Sequence, residues 1–71
     1  MNLASTIKSR RKTLGISQND LAEMAGVSLA TVKNLERGKC NPSYENLIKI
    51  LDVLGLEIEF RVKSPFYNKN N

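Results

Sequence analysis

The chain contains no histidine and only one cysteine, Cys40. These two shortages exclude a good deal of chemistry. No Cys/His zinc site, no Ser–His or Cys–His nucleophile pair and no disulfide framework can be assembled within one copy of the chain. No apolar run approaches the ~18–20 residues needed to span a bilayer, and the first ten residues do not have the pattern of a signal peptide. A lone thiol fits a reducing, cytoplasmic setting. The expectation is a cytoplasmic protein that is not an enzyme, with no metal, no cofactor and no membrane contact. At 71 residues the chain makes a single small domain, and a domain of that size buries only about 60% of the surface its unfolded chain exposes.

The net charge is +4, and its placement matters more than its size. Residues 1–41 carry seven bases (Lys8, Arg10, Arg11, Lys12, Lys33, Arg37, Lys39) and three acids (Asp20, Glu23, Glu36), a difference of +4. Residues 42–71 carry four of each (Lys49, Arg61, Lys63, Lys69 against Glu45, Asp52, Glu57, Glu59) and sum to zero. The whole excess lies in the first part, as expected if that part faces a polyanion.

The local grammar is helical as far as Gly55. Leu3, Ile7, Arg11 and Leu14 make a stripe at helical spacing, with Gly15 where a terminating glycine belongs. Ser17 can cap a second helix, with Asp20 completing a capping box and Ile16 able to staple onto Leu21; Gly26 ends it. Val27, Ser28 and Val32 repeat that arrangement for a third helix, which Gly38 ends. Pro42-Ser43-Tyr44-Glu45 opens a fourth, with Leu47, Ile50, Leu51 and Leu54 as its core stripe and Gly55 as its stop. The second and third helices, separated by Ala25-Gly26-Val27-Ser28, have the shape of a helix-turn-helix. Ala22 is small where the two must approach, and Val32 and Leu35 face the first helix of the pair.

After Gly55 the period changes. Leu56, Ile58, Phe60 and Val62 alternate with Glu57, Glu59, Arg61 and Lys63, the pattern of a half-buried strand. The remainder, 64–71, is polar and reads as a flexible tail. A single strand on a four-helix domain has no partner in its own chain, and an open apolar edge is a liability. Pairing with the same strand of a second copy removes it. The alternative is packing on its own helices or addition to another protein's sheet.

The stretch Ile16-Ser17-Gln18-Asn19-Asp20-Leu21-Ala22-Glu23-Met24-Ala25-Gly26-Val27-Ser28, then Val32, Leu35-Glu36-Arg37-Gly38-Lys39 and Asn41-Pro42-Ser43, resembles the phage repressor/Cro-type (Xre) helix-turn-helix family. The likeness covers about residues 3–55. It implies a DNA-binding domain over 1–55, with the helix-turn-helix at about 17–37 and residues 28–37 as a recognition helix in the major groove. Dimers of that kind read pseudo-palindromic half-sites about 34–36 Å apart. A dimerising β-strand would follow at 56–63, with Leu56, Ile58, Phe60 and Val62 at the interface. The expected fold is mostly α: a four-helix repressor-type domain whose C-terminal strand pairs across a homodimer.

The third helix divides into two faces. Val32, Leu35 and Glu36 make one; Ala30, Lys33, Asn34 and Arg37 make the other, with Leu29 beside them. The Asn34 amide suits adenine, Lys33 suits guanine or phosphate, and Ala30 and Leu29 suit thymine methyls. Ser28, Thr31 and Lys39 are candidates for phosphate contact, and the resemblance implies the same for Gln18. Lys8, Arg10 and Lys12 fit a solvated helix face equally well. Arg11 and Glu36 each interrupt an apolar stripe, so burying both makes sense only as a pair; the resemblance implies such an internal ion pair.

A helical body ending in a dimerising strand is also similar, more loosely, to HipB-like antitoxins. That likeness implies an autorepressor, the antitoxin of a toxin–antitoxin pair, whose tail, with Phe66 and Tyr67, orders on a toxin. The alternatives are a phage-type or restriction-controller regulator with no toxin, or an interaction module that mainly neutralises one.

Overall fold

The computed structural model describes residues 2–39 and 41–63. The helices are α1 (Leu3–Thr13), α2 (Gln18–Ala25), α3 (Leu29–Glu36) and α4 (Tyr44–Leu54). Each starts where a side-chain oxygen satisfies a backbone N–H that has no partner within the helix. Ser17, Ser28 and Ser43 accept from the amides of Asp20, Thr31 and Asn46. At α2 the Asp20 carboxylate also accepts from the Ser17 amide, closing a capping box. The cap of α1 is Asn2, whose side chain accepts from the Ser5 amide at 2.8 Å.

The breaks are equally local. Gly26 and Gly55 end α2 and α4 at φ near +70°, a backbone region costly for residues with a Cβ. At Gly55 the left-handed turn lets the Leu56 amide donate back to the Leu51 carbonyl at 2.9 Å.

The core consists of Ile7 from α1, Leu21, Ala22 and Ala25 from α2, Val32 and Leu35 from α3, and Ile50, Leu51 and Leu54 from α4. Helix α2 packs on both α3 and α4, and α1 packs on those same two helices. Ile16, Val27, Leu29, Leu47, Val53 and Leu56 are partly buried around this centre. Leu3 and Leu14, at the ends of the α1 stripe, remain partly exposed. None of the described helices is long and apolar enough to cross a membrane.

Beyond Gly55 the expectation requires correction. Residues 56–63 form no strand in this chain. Alternation of side chains is a local property, but a strand also needs a hydrogen-bonded neighbour, and among the described residues no strand is present to supply one. Leu56 is not free for an interface: it packs against its own core. Ile58 is exposed, and Phe60 and Val62 are 90% and 95% exposed. The tail, 64–71, and Cys40 lie outside the described residues.

Candidate nucleic-acid interface

The arrangement is organised around a buried charge. The Arg11 guanidinium donates from Nε to Glu36 Oε2 at 2.7 Å and from Nη2 to Oε1 at 2.9 Å, a two-pronged pair. Its Nη1 donates to the Ile16 carbonyl at 3.0 Å. The two side chains are only 10% and 2% exposed. Burial works against a charged Glu36, but hydrogen bonds from Arg11 and Gln18, together with the charges of Arg11 and Lys8, outweigh it and hold the carboxyl below its ordinary range. The Arg11 pKa is raised by the hydrogen bond to Glu36, against the effect of burial. This fork ties the end of α3 to α1 and to the turn before α2, and so fixes how α3 sits on the domain.

Gln18 joins the same network. Its Nε2 donates to Glu36 Oε1 at 3.1 Å, which leaves one amide N–H and the carbonyl oxygen of the half-buried side chain for another partner. Sequence reasoning placed Gln18 toward phosphate and missed this inward contact, because α2 and the end of α3 meet only in the folded chain.

On the outer side of α3, Ala30, Lys33 and Arg37 are exposed and Asn34 is half-buried. Lys39 is exposed just beyond the helix. Leu29 is partly buried against the core, which limits what it can offer outward. The Ser28 and Thr31 hydroxyls lie 2.8 Å apart at the start of α3, where Ser28 also accepts from the Thr31 amide. Among the described residues Lys33, Arg37 and Lys39 form no ion pair. The acid that would oppose them, Glu36, is turned inward and neutralised. The outer side of α3 therefore carries Lys33, Asn34 and Arg37 with no outward-facing acid of the helix among them. With eight residues, α3 is about 12 Å long, comparable to the roughly 12 Å width of the major groove.

The remaining bases separate by role. Arg10 Nε donates to the Leu54 carbonyl at 2.8 Å, capping the C-terminal end of α4. No local signal announces that role, since α1 and α4 are far apart in sequence. Lys8 and Arg37 both line an open depression of about 630 Å³ between the start of α1 and the end of α3, with Asn2, Ser5 and Asn41. Lys12 is exposed.

Comparison with known proteins agrees with this fold. A helix-turn-helix family model matches residues 7–60. The chain is 34% identical over 59 residues to the cryptic phage CTXphi transcriptional repressor RstR of Vibrio cholerae, covering 83% of this chain and 53% of that protein. It is 31% identical over 68 residues to repressor protein C2 of Salmonella phage P22, covering 96% of this chain and 32% of that one. The chain thus spans about half of the first relative and a third of the second. Among solved structures, the restriction-modification controller protein C.AhdI of Aeromonas hydrophila superposes with a TM-score of 0.73 at 31% identity, over 78% of this chain and 83% of that one. With a matching family model, two repressor relatives and a superposable fold, the chain belongs to the helix-turn-helix family, of the repressor/Cro (Xre) type.

Proposed function

We propose that this chain is a sequence-specific DNA-binding transcriptional regulator that represses by occluding its operator. The observation that carries the reading is the division of α3. Its inner face is locked by the Arg11–Glu36 fork, while its outer face presents Lys33, Asn34 and Arg37 without a competing acid. In this reading Asn34 and Lys33 address base edges in the major groove, Ala30 and Leu29 lie against thymine methyls, and Gln18, Ser28, Thr31, Arg37 and Lys39 hold phosphates. Residues 1–55 are the DNA-binding domain, and two copies occupy a pseudo-palindromic operator in the cytoplasm.

The relatives, two phage repressors and a restriction-modification controller, support the regulator without a toxin partner. They give no support to an antitoxin role or to a module that mainly neutralises a toxin.

The test is a fluorescence-anisotropy titration against the DNA upstream of this gene, with scrambled DNA as control, at two salt concentrations. A preference of about 10³-fold or more, weakening steeply as salt rises, is the expected result. Equal and weak binding to both DNAs defeats the reading for that operator, and equal binding to all DNA tested defeats sequence specificity.

A further inference from the structure

We propose that the open depression between the start of α1 and the end of α3 seats a backbone phosphate of the operator, gripped from two sides by Lys8 and Arg37. The inference rests on the DNA-binding reading above and adds to it a contact from outside the helix-turn-helix.

The charges point to an anion. Lys8 stands on α1 and Arg37 at the end of α3, yet both line this one depression of about 630 Å³. Both are exposed, and neither forms an ion pair among the described residues. Two cations brought to one hollow repel each other, and an anion between them relieves that repulsion. The acid on the wall, Glu36, does not answer them. Its carboxylate accepts from Arg11 at 2.7 and 2.9 Å and from Gln18 at 3.1 Å, and its side chain is 2% exposed. Lys8 acts on it through charge alone, beyond salt-bridge range. Arg11 thus cancels Glu36, and the positive charges of Lys8 and Arg37 are left uncompensated.

The other polar groups suit the same ligand. Asn2 and Asn41 line the depression as well. The Asn2 Oδ1 accepts from the Ser5 amide at 2.8 Å, which leaves the side-chain N–H groups of Asn2 as donors.

Shape and position decide where the phosphate comes from. The depression is open and much larger than one phosphate group, so it does not wrap a small free anion. A chain of phosphates and sugars passing across it fits. Arg37 belongs both to this depression and to the outer side of α3, one helical turn beyond Lys33. A strand whose groove receives α3 therefore carries its backbone past Arg37 toward Lys8.

The test is an anisotropy titration of the full chain with the duplex upstream of this gene and with scrambled DNA, comparing Lys8→Ala with Lys12→Ala. Each substitution removes one positive charge from an exposed position on α1, but only Lys8 lines the depression. Helical circular dichroism should be unchanged in both. Lys8→Ala is expected to weaken binding to the two DNAs by the same factor and to lower the salt slope by about one. The advantage of the wild type over Lys8→Ala then shrinks about three- to fourfold between 50 and 200 mM salt. Lys12→Ala leaves the slope near that of the wild type. Replacing single phosphates by uncharged methylphosphonates locates the seat: at one position in each half-site, the same for both, Lys8→Ala and Arg37→Ala cease to matter.

A Lys8→Ala variant indistinguishable from Lys12→Ala, or different phosphate positions for Lys8 and Arg37, overturns the proposal. So does inorganic phosphate that moves the Lys8 and Arg37 resonances at constant ionic strength while Lys8→Ala binds DNA as the wild type does, which gives the hollow to a free anion. If the wild type binds both DNAs equally and Lys8→Ala still flattens the salt slope, the sequence-specific reading fails and the phosphate seat stands. If the upstream DNA is preferred and Lys8→Ala changes nothing, the seat fails and the regulator reading stands.

Discussion

Arg11 and Glu36 stand 25 residues apart in sequence and meet through two hydrogen bonds of 2.7 and 2.9 Å inside the domain. Removing one partner strands the other in a dry site. Arg11→Ala is expected to destabilise the fold by about 3–5 kcal/mol, whereas a paired replacement such as Arg11→Met with Glu36→Leu recovers most of that loss. Urea unfolding midpoints measure both. An unchanged midpoint in Arg11→Ala accompanied by weaker DNA binding would reassign Arg11 from the scaffold to the DNA.

Acid should act through the same carboxylate. Glu36 titrates below its ordinary 4.5 in the folded chain, so the folded state binds that proton less readily than the unfolded one. Its contribution is complete above the unfolded value and disappears as pH falls through the lower folded value. Asp20, lowered by its hydrogen bonds from the Ser17 backbone and hydroxyl, acts in the same direction from 3.8 downward. Stability measured from pH 6 to pH 2 should decline below about pH 4.5. The Glu36→Gln variant should start less stable and show a shallower decline; parallel curves would place the acid sensitivity elsewhere.

Asn34→Ala should weaken operator binding by about 1–3 kcal/mol and relax preference at one base pair, leaving the unfolding midpoint close to wild type. Lys33→Ala and Lys39→Ala separate base from phosphate contact. A phosphate contact lowers affinity for all sequences alike and reduces the salt slope by about one, while a base contact changes the sequence preference. Variants that bind as the wild type does would remove these residues from the interface.

Ser28 occupies a position where capping and phosphate contact both make sense. Ser28→Ala should cost about 1 kcal/mol of stability through the lost cap. Ser28→Asp keeps a capping oxygen while placing a negative charge beside any phosphate. Its expected signature is near-native stability with DNA binding reduced tenfold or more, about 1.4 kcal/mol. Unimpaired DNA binding by Ser28→Asp would confine Ser28 to the cap.

What the sequence disclosed follows the reach of the forces involved. Ser17, Ser28 and Ser43 act on amides three residues away, and Gly26 and Gly55 act on their own backbone, so α2, α3 and α4 could be bounded by reading alone. The Asn2 cap escaped because the apolar stripe of α1 gives no sign of its first residue. Arg10 at the Leu54 carbonyl and Gln18 at Glu36 escaped for a different reason: their partners lie 44 and 18 residues away, and nothing in the spacing names them. Alternation at 56–63 was plain, yet it specifies which side chains share a face and not what the backbone pairs with.

The inward fork of Arg11 and Glu36 has a consequence for how such a protein can change. The seat of α3 depends on one set of side chains, and what α3 displays outward depends on another. Exposed positions 30, 33 and 37 can be rewritten without disturbing the seat. If α3 reads DNA as proposed, a lineage carrying this domain can move to a new target by exchanging a few surface letters, while the buried pair carries the fold through each intermediate.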